Sequence, residues 1–190
     1  GACAIATSTA FGASSAIPSA QYAANAAPVG GGVYLDIGEG HQSWMGGYQA
    51  PSNADQRYPV YCVQMWLPNP TPADVVTKST LLESRMLGPE ELHLTPAQMT
   101  FIFDRHSQDQ DAWNQAAISL LVHTNFEQDQ AGHDTHASIN HYVDLVKAQH
   151  MDVYNKAVEL AKEGRYYATK GYSEGSHTGD NDREGVIKDI

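Results

Sequence analysis

The chain is poor in basic residues, and this deficit argues against several kinds of partner. Its 190 residues include 11 Lys and Arg against 22 Asp and Glu, which gives a formal net charge of −11 at pH 7. No basic residue precedes Arg57. Nucleic acids and anionic membrane surfaces are bound through clustered Lys and Arg. We therefore expect neither of them as a partner.

Long apolar runs are lacking as well. No segment of the sequence approaches the ~20 consecutive apolar residues that cross a bilayer, so we expect no membrane span. The 42% hydrophobic content is enough to build the core of one domain. We predict an Ala- and Ser-rich N-terminal arm over residues 1–31, extended or docked as a helix, and a single folded domain over residues 32–190.

The order of the predicted elements indicates an α+β fold. Strand-like patterns cover residues 33–37 and 59–67, and residues 75–80 fit a further strand or a turn. Residues 38–47 have the glycine content of a turn region. Helical patterns then occupy residues 95–164, and short strand-like pieces follow at residues 166–169 and 186–187. Strands followed by helices, without regular alternation, are typical of α+β domains.

The helical part carries clear start signals. Thr95, Pro96 and Gln98 predict an N-cap, a proline in the first turn and a capping box for a helix that ends near His106. A second helix is expected over residues 112–126, capped by Asp109 or Asp111. The stretch 138–163 predicts one long helix or two helices joined near His150, with Gly164 at its end.

Cysteine is scarce, and the two cysteines have different surroundings. Cys3 lies at the N-terminal end of the chain, whereas Cys62 lies within the apolar, strand-like run Val60-Tyr61-Cys62-Val63. A Cys3–Cys62 disulfide, formed in an oxidising compartment, is one interpretation. A buried and unreactive Cys62 is another, because free cysteine is among the residues most often buried.

Gln115 is the polar residue of interest on the second helix. On a helical wheel Trp113, Ala116, Ala117, Leu120 and Thr124 form one stripe, and Gln115 falls in the opposite group with Ile118, Ser119 and Val122. A helix that is apolar on two sides lies between layers of structure, where a carboxamide needs a partner. Backbone hydrogen bonds are the common solution.

A bond to a facing thiol is the other solution. The Cys62 thiolate would attack the Gln115 carbonyl and expel ammonia, which leaves an internal thioester that an external amine can open. Fixed geometry can supply an effective molarity of about 10⁵ M or more for such a step. His123, two turns further along the helix, is a candidate to assist, as are His106 and Asp111.

Two segments resemble the motifs of a known family. Tyr61-Cys62-Val63-Gln64 is similar to the cysteine motif of the thioester domains of Gram-positive cell-surface adhesins. Asn114-Gln115-Ala116-Ala117-Ile118 is similar to their glutamine motif, with Asn114 in place of Thr and Ser119 in place of the aromatic residue that often follows. The run 117–123 looks like the actinobacterial branch of the family.

The resemblance implies a function and an architecture. It implies a two-lobed α+β fold, with a β-sandwich or barrel-like part and a helical part that meet at a Cys62–Gln115 thioester. It further implies an extracellular domain, monomeric within a larger wall-anchored protein, that attaches covalently to amines on host or other surface ligands. Such a domain turns over once and is not an enzyme, and it needs no cofactor.

Two other classes of function stay open on the sequence alone. His133, His136 and His141 have spacings that a metal site could use, although their polar surroundings are more typical of solvated loop histidines. Cys62 could instead be the nucleophile of a hydrolase. However, catalytic cysteines more often begin a helix, where the dipole lowers the thiol pKa.

Overall fold

The computed structural model describes residues 4–7, 20–23, 28–48, 59–68, 75–79, 83–109 and 111–167. Its strands, in chain order, are β1 Ala4–Thr7, β2 Ala20–Ala23, β3 Pro28–Gly38, β4 His41–Tyr48, β5 Val60–Cys62 and β6 Val75–Ser79. Its helices are α1 Pro96–His106, α2 Ala112–Phe126, α3 Thr135–Gln149 and α4 Met151–Tyr167, preceded by a 3₁₀ turn at Glu90–Leu92. The fold is α+β, as the sequence predicts.

The described strands form one mixed sheet in the order β2-β6-β1-β5-β4-β3. β1 pairs parallel to β6 and antiparallel to β5, with Ile5 opposite Cys62. β3 and β4 form a hairpin whose turn residues Glu39 and Gly40 have positive φ. The segment 1–31, expected as an arm or a docked helix, thus contributes β1, β2 and the start of β3 to the sheet.

Strand β4 corrects the prediction of a turn region over residues 38–47. Its glycines are needed for close packing, not for turning. A Cβ on Gly46 would lie 2.8 Å from the Trp44 indole nitrogen, and a Cβ on Gly47 would lie 2.8 Å from the Pro59 ring. Glycine therefore lets the Trp44 side chain lie against its own strand and lets β4 approach Pro59, the residue before β5, closely.

Helix α2 is the centre of the core. Asp111 caps it by accepting hydrogen bonds from the backbone N–H groups of Trp113 and Asn114. Every residue from Gln115 to Phe126 is buried, because α2 contacts β3 and β4 on one side and α1, α3 and α4 on others. The expectation that this helix lies between layers is confirmed.

The long helical stretch is two helices, α3 and α4, joined at His150. α3 begins three residues earlier than predicted, where Asp134 accepts a hydrogen bond from Ala137 N. The prediction that Gly164 ends the last helix was wrong, since α4 continues to Tyr167. Tyr166 is therefore helical and does not start a strand, and the other expected strand-like piece, 186–187, lies outside the described residues.

Gly164 yields a stability prediction. A Cβ at this position would lie 2.9 Å from Ile102 Cδ1 and 3.1 Å from the Gln98 carbonyl oxygen of α1. The overpacking should outweigh the ~1 kcal/mol that Ala gains over Gly in a helix. We expect Gly164→Ala to lower the free energy of unfolding by about 1 kcal/mol in urea denaturation. Asn155→Ala, exposed on the same helix, is the control and should leave stability unchanged or slightly raised; equal stabilisation of both variants would contradict the packing argument.

No helix in the described part of the chain is long and apolar enough to cross a membrane.

Candidate functional site

The two sequence motifs meet in space at a buried hydrogen bond. The Tyr61 hydroxyl of β5 donates to Gln115 Oε1 of α2 at 2.6 Å. Both residues are buried, and the Tyr61 ring also stacks on Phe103 of α1, with ring centroids 5.4 Å apart. Burial raises the pKa of Tyr61, more than the hydrogen bond to Gln115 lowers it. The phenol is therefore a neutral donor aimed at the Gln115 carbonyl.

The amide nitrogen of Gln115 is held from the other side. Nε2 donates to the backbone carbonyls of His106, Ser107 and Asp109 at 3.2, 3.0 and 2.6 Å. The first two lie at the C-terminal end of α1, where backbone carbonyls have no partner within the helix. Gln115 therefore caps α1 and fixes the α1–α2 connection. This agrees with the expectation that backbone hydrogen bonds are the common partners of a buried carboxamide.

That connection is itself ordered by Asp109. Its carboxylate accepts hydrogen bonds from Asp111 N at 2.8 Å and from Asn114 Nδ2 at 2.7 Å. These bonds, first from the Asp111 backbone and then from Asn114, lower the pKa of Asp109. The ionised carboxylate is thus the form that holds this connection, and its contribution is lost only as the pH falls through the lowered pKa.

Cys62 has a different environment. It is disulfide-bonded in the structure, and the chain's other cysteine, Cys3, lies outside the described residues. Cys62 Sγ also accepts a hydrogen bond from Gln64 N at 3.4 Å. Successive side chains on a strand point to opposite faces, so Tyr61 faces the helices while Cys62 faces away from them.

The structure therefore brings the two motifs together through Tyr61 and not through Cys62. Among the described residues, the hydrogen-bond partners of the Gln115 carboxamide are Tyr61 and three backbone carbonyls. The Cys62 sulfur is bound in a disulfide. One sulfur atom cannot be in a disulfide and a thioester at once, so the state of Cys62 in this structure is a disulfide and not a thioester.

His123 does not join Gln115. Eight residues of helix separate the two by about 12 Å along the axis. The His123 ring is instead buried beside Glu127, with Nδ1 3.0 Å from Oε2. The expectation that His123 assists chemistry at Gln115 therefore finds no support in the geometry. The other two candidates are also engaged elsewhere, since His106 Nε2 lies 3.1 Å from Glu163 Oε2 and Asp111 caps α2.

Glu127 was missed by the sequence reasoning. Its carboxylate has no solvent exposure, and it accepts a hydrogen bond from Met65 N in the segment after β5 while also contacting His123. The backbone of the next residue, Gln128, donates to Val63 O at 2.8 Å. Together these bonds fasten the end of α2 to the segment that follows Cys62. An acidic residue directly after a helix that is apolar on two sides was the available signal.

The histidines considered for a metal do not form a site. No group of three or more His, Cys, Asp or Glu side chains in the described residues could hold a metal ion. His136 and His141 lie on α3, not in the loop expected for them. His133 precedes α3 and stacks on Trp66, with ring centroids 4.0 Å apart.

The Tyr61–Gln115 contact can be tested by removing one hydroxyl. Tyr61→Phe keeps the ring packing but leaves the buried Gln115 carbonyl oxygen without its donor, which costs about 1–3 kcal/mol. We expect a lower urea midpoint with an unchanged m-value. Tyr166→Phe, at an exposed position, is the matched control. Equal midpoints for both variants would show that the hydrogen bond contributes nothing to stability.

Comparisons of the chain with protein-family models, with curated proteins and with solved structures found no match.

Proposed function

We propose that the chain is an extracellular binding domain that attaches to amines on host or other surface molecules through a Cys62–Gln115 thioester. The observation that supports this most directly is the 2.6 Å hydrogen bond from Tyr61, the neighbour of Cys62, to the Gln115 carbonyl oxygen. It places the two motifs in one buried site. The proposal includes a two-lobed arrangement, with the reactive pair where the sheet meets the helices, and a larger wall-anchored parent protein.

The arrangement around Gln115 suits an attack on its carbonyl. A donor held at a carbonyl oxygen stabilises the negative charge that develops there when a nucleophile adds. The Tyr61 hydroxyl has this position, and burial keeps it protonated. The buried surroundings of Gln115 would also keep water away from a thioester once it forms.

The covalent step requires the Cys62 sulfur to be free. The reduced Cys62 thiolate adds to the Gln115 carbonyl carbon, the tetrahedral intermediate collapses with loss of the amide nitrogen as ammonia, and the thioester remains. An incoming amine then forms an amide at residue 115 and releases the Cys62 thiol. Because Cys62 lies on the strand face opposite Tyr61, opening of the disulfide must be accompanied by a local change of the backbone at Cys62 that turns the thiol towards Gln115 and leaves the Tyr61 hydroxyl at the carbonyl oxygen.

The disulfide at Cys62 favours a second function. A domain stabilised by this disulfide, with Gln115 acting only as the cap of α1, would bind its surface ligand without a covalent bond. Disulfides persist in secreted proteins, so this alternative shares the extracellular location with the covalent proposal. The two functions differ in the reactivity of a reduced Cys62: it forms a thioester with Gln115 in the covalent function and does not in the other.

A labelling experiment separates the two functions. The protein is treated with a phosphine reductant, incubated with a biotin-linked primary amine and analysed by peptide mapping. The covalent proposal predicts one label at Gln115, and none in Cys62→Ala. Asn140→Ala, exposed on α3 and outside both motifs, should label as the unaltered chain does. Absence of label at residue 115 in reduced, folded protein would favour the non-covalent function.

A further inference from the structure

The nitrogen of the Gln115 carboxamide lies among three backbone carbonyl oxygens. Nε2 is 3.2 Å from His106 O, 3.0 Å from Ser107 O and 2.6 Å from Asp109 O. A carboxamide nitrogen has two hydrogens to donate, whereas three acceptors surround it here. The arrangement therefore offers one acceptor more than the glutamine amide has hydrogens, and it suits a nitrogen that carries three.

The same oxygens favour a positively charged nitrogen. His106 is the last residue of α1 and Ser107 is its C-cap, and the C-terminal end of a helix carries a partial negative charge. The carboxylate of Asp109 lies on the same connection. A nitrogen that gains positive charge at this position is therefore stabilised more than the neutral amide of Gln115 is.

The connection between α1 and α2 holds the oxygens in place and also gives access to them. Asp109 N donates to His106 O at 3.0 Å, which fixes the third carbonyl group relative to the first. Gln108 and Asp109 are exposed, and the hydrogen bonds from Gln115 to His106 and Asp109 are only partly buried. An external amine would therefore approach from the side of this connection.

The number of N–H groups matters when an amine opens the proposed Cys62–Gln115 thioester, on which this inference rests. The neutral amine forms a C–N bond to the carbonyl carbon of residue 115, and its nitrogen becomes positively charged with all its hydrogens attached. The C–S bond then breaks, and one proton passes from the nitrogen to the Cys62 sulfur, which leaves as the thiol. In the charged intermediate ammonia presents three N–H groups to the oxygens, a primary amine two and a secondary amine one.

We propose that the backbone carbonyls of His106, Ser107 and Asp109 determine the amine specificity of the domain, by selecting ammonia and primary amines over secondary amines. The nitrogen that replaces Nε2 takes its position among the three oxygens. Each N–H group of the charged intermediate that bonds to a carbonyl oxygen raises the rate about tenfold or more. The attachment point on a protein ligand is then a primary amino group.

The proposal is tested with ethylamine and dimethylamine, which are isomers and differ in the number of N–H groups. Folded Cys3→Ser is incubated with each amine, and the intact mass follows the rate at which the thioester is consumed. A small-molecule thioester in the same buffer gives the ratio of the two rates without the site. We expect the ratio of the ethylamine rate to the dimethylamine rate to be about tenfold higher, or more, for the protein.

Substitution of Asp109 separates the carbonyl site from the rest of the fold. Asp109→Ala removes the carboxylate that accepts from Asp111 N and Asn114 Nδ2, so the connection loosens and the rate ratio should fall towards that of the small-molecule thioester. Asp109→Asn keeps an acceptor oxygen and should retain most of the ratio. Asp144→Ala, exposed on α3, is the control and should leave it unchanged. Thermal melting confirms that each variant is folded.

The outcomes distinguish this inference from the covalent function. A thioester that reacts with the same rate ratio as the small-molecule thioester would overturn the carbonyl site and leave the covalent function standing. Equal rate ratios in Asp109→Ala and Asp144→Ala would overturn it as well. If Cys3→Ser shows no mass one ammonia below that of the sequence, the covalent function fails and this inference fails with it.

Discussion

Glu127→Leu should destabilise the fold by about 3–5 kcal/mol, the cost of breaking a buried polar pair by removing one partner. The Glu127 carboxylate has no solvent exposure, and it serves both Met65 N and the His123 ring. Leucine has a similar volume but leaves both donors buried without an acceptor. For a chain of this size the loss corresponds to a fall in the melting temperature of roughly 10 °C.

The buried pair can be separated from general core damage by a second substitution. His123→Leu together with Glu127→Leu removes the two facing polar groups at once, and such paired replacements are often tolerated. We expect the double variant to regain part of the lost stability, measured as the urea midpoint. Glu159→Leu, on the exposed side of α4, should change stability by less than ~0.5 kcal/mol. A double variant less stable than Glu127→Leu would contradict the pairing.

Cys62→Ala is expected to lower stability by about 3–4 kcal/mol. Cys62 is disulfide-bonded, and a crosslink to Cys3, the other cysteine of the chain, would enclose a loop of about 60 residues, which restricts the unfolded chain by this amount. A thioester to Gln115 would enclose a loop of similar length and would contribute similarly. Loss of stability alone therefore shows that Cys62 is crosslinked, but it does not distinguish a disulfide from a thioester.

Cys3→Ser is the matched variant, because it prevents the disulfide but leaves Cys62 and Gln115 intact. If the free Cys62 thiol reacts with Gln115, the crosslink is replaced and Cys3→Ser should be more stable than Cys62→Ala. Urea denaturation of both variants, without reductant, measures the difference. Equal destabilisation would mean that the disulfide is the stabilising crosslink at Cys62 and that no thioester replaces it.

The helices could be predicted from the sequence because local signals define their ends. Thr95 and Gln98 form the predicted capping box, and Asp111 caps α2. These interactions link residues two or three positions apart, so one short segment of the sequence contains both partners. Gly164 was misjudged because its role is set by Ile102, a distant residue whose side chain leaves no room for a Cβ.

The strands were predicted less well because their partners are distant. The pattern over residues 59–67 predicted a long strand, but β5 spans only Val60–Cys62. Its residues pair with β1 and β4, neither of which could be assigned as a partner from the local pattern. The glycines of β4 indicated a turn, whereas they make room for Trp44 and Pro59.

The site was predicted in part for the same reason. The helical periodicity predicted a buried Gln115 on an apolar helix. Its hydrogen-bond partners could not be predicted in the same way, because they depend on which face of β5 meets α2. That face carries Tyr61, and its neighbour Cys62 points the other way. Glu127 was missed because one of the groups that it serves, the backbone N–H of Met65, lies 62 residues earlier in the chain.

The intact mass of folded Cys3→Ser, purified without reductant and then incubated with methylamine, tests the covalent proposal most directly. We expect a mass one ammonia below that of the sequence before incubation, and the addition of one methylamine in place of that ammonia afterwards. We also expect Gln115→Glu in the same background to abolish both changes. A full sequence mass with Cys62 open to alkylation, unchanged by methylamine, would contradict it.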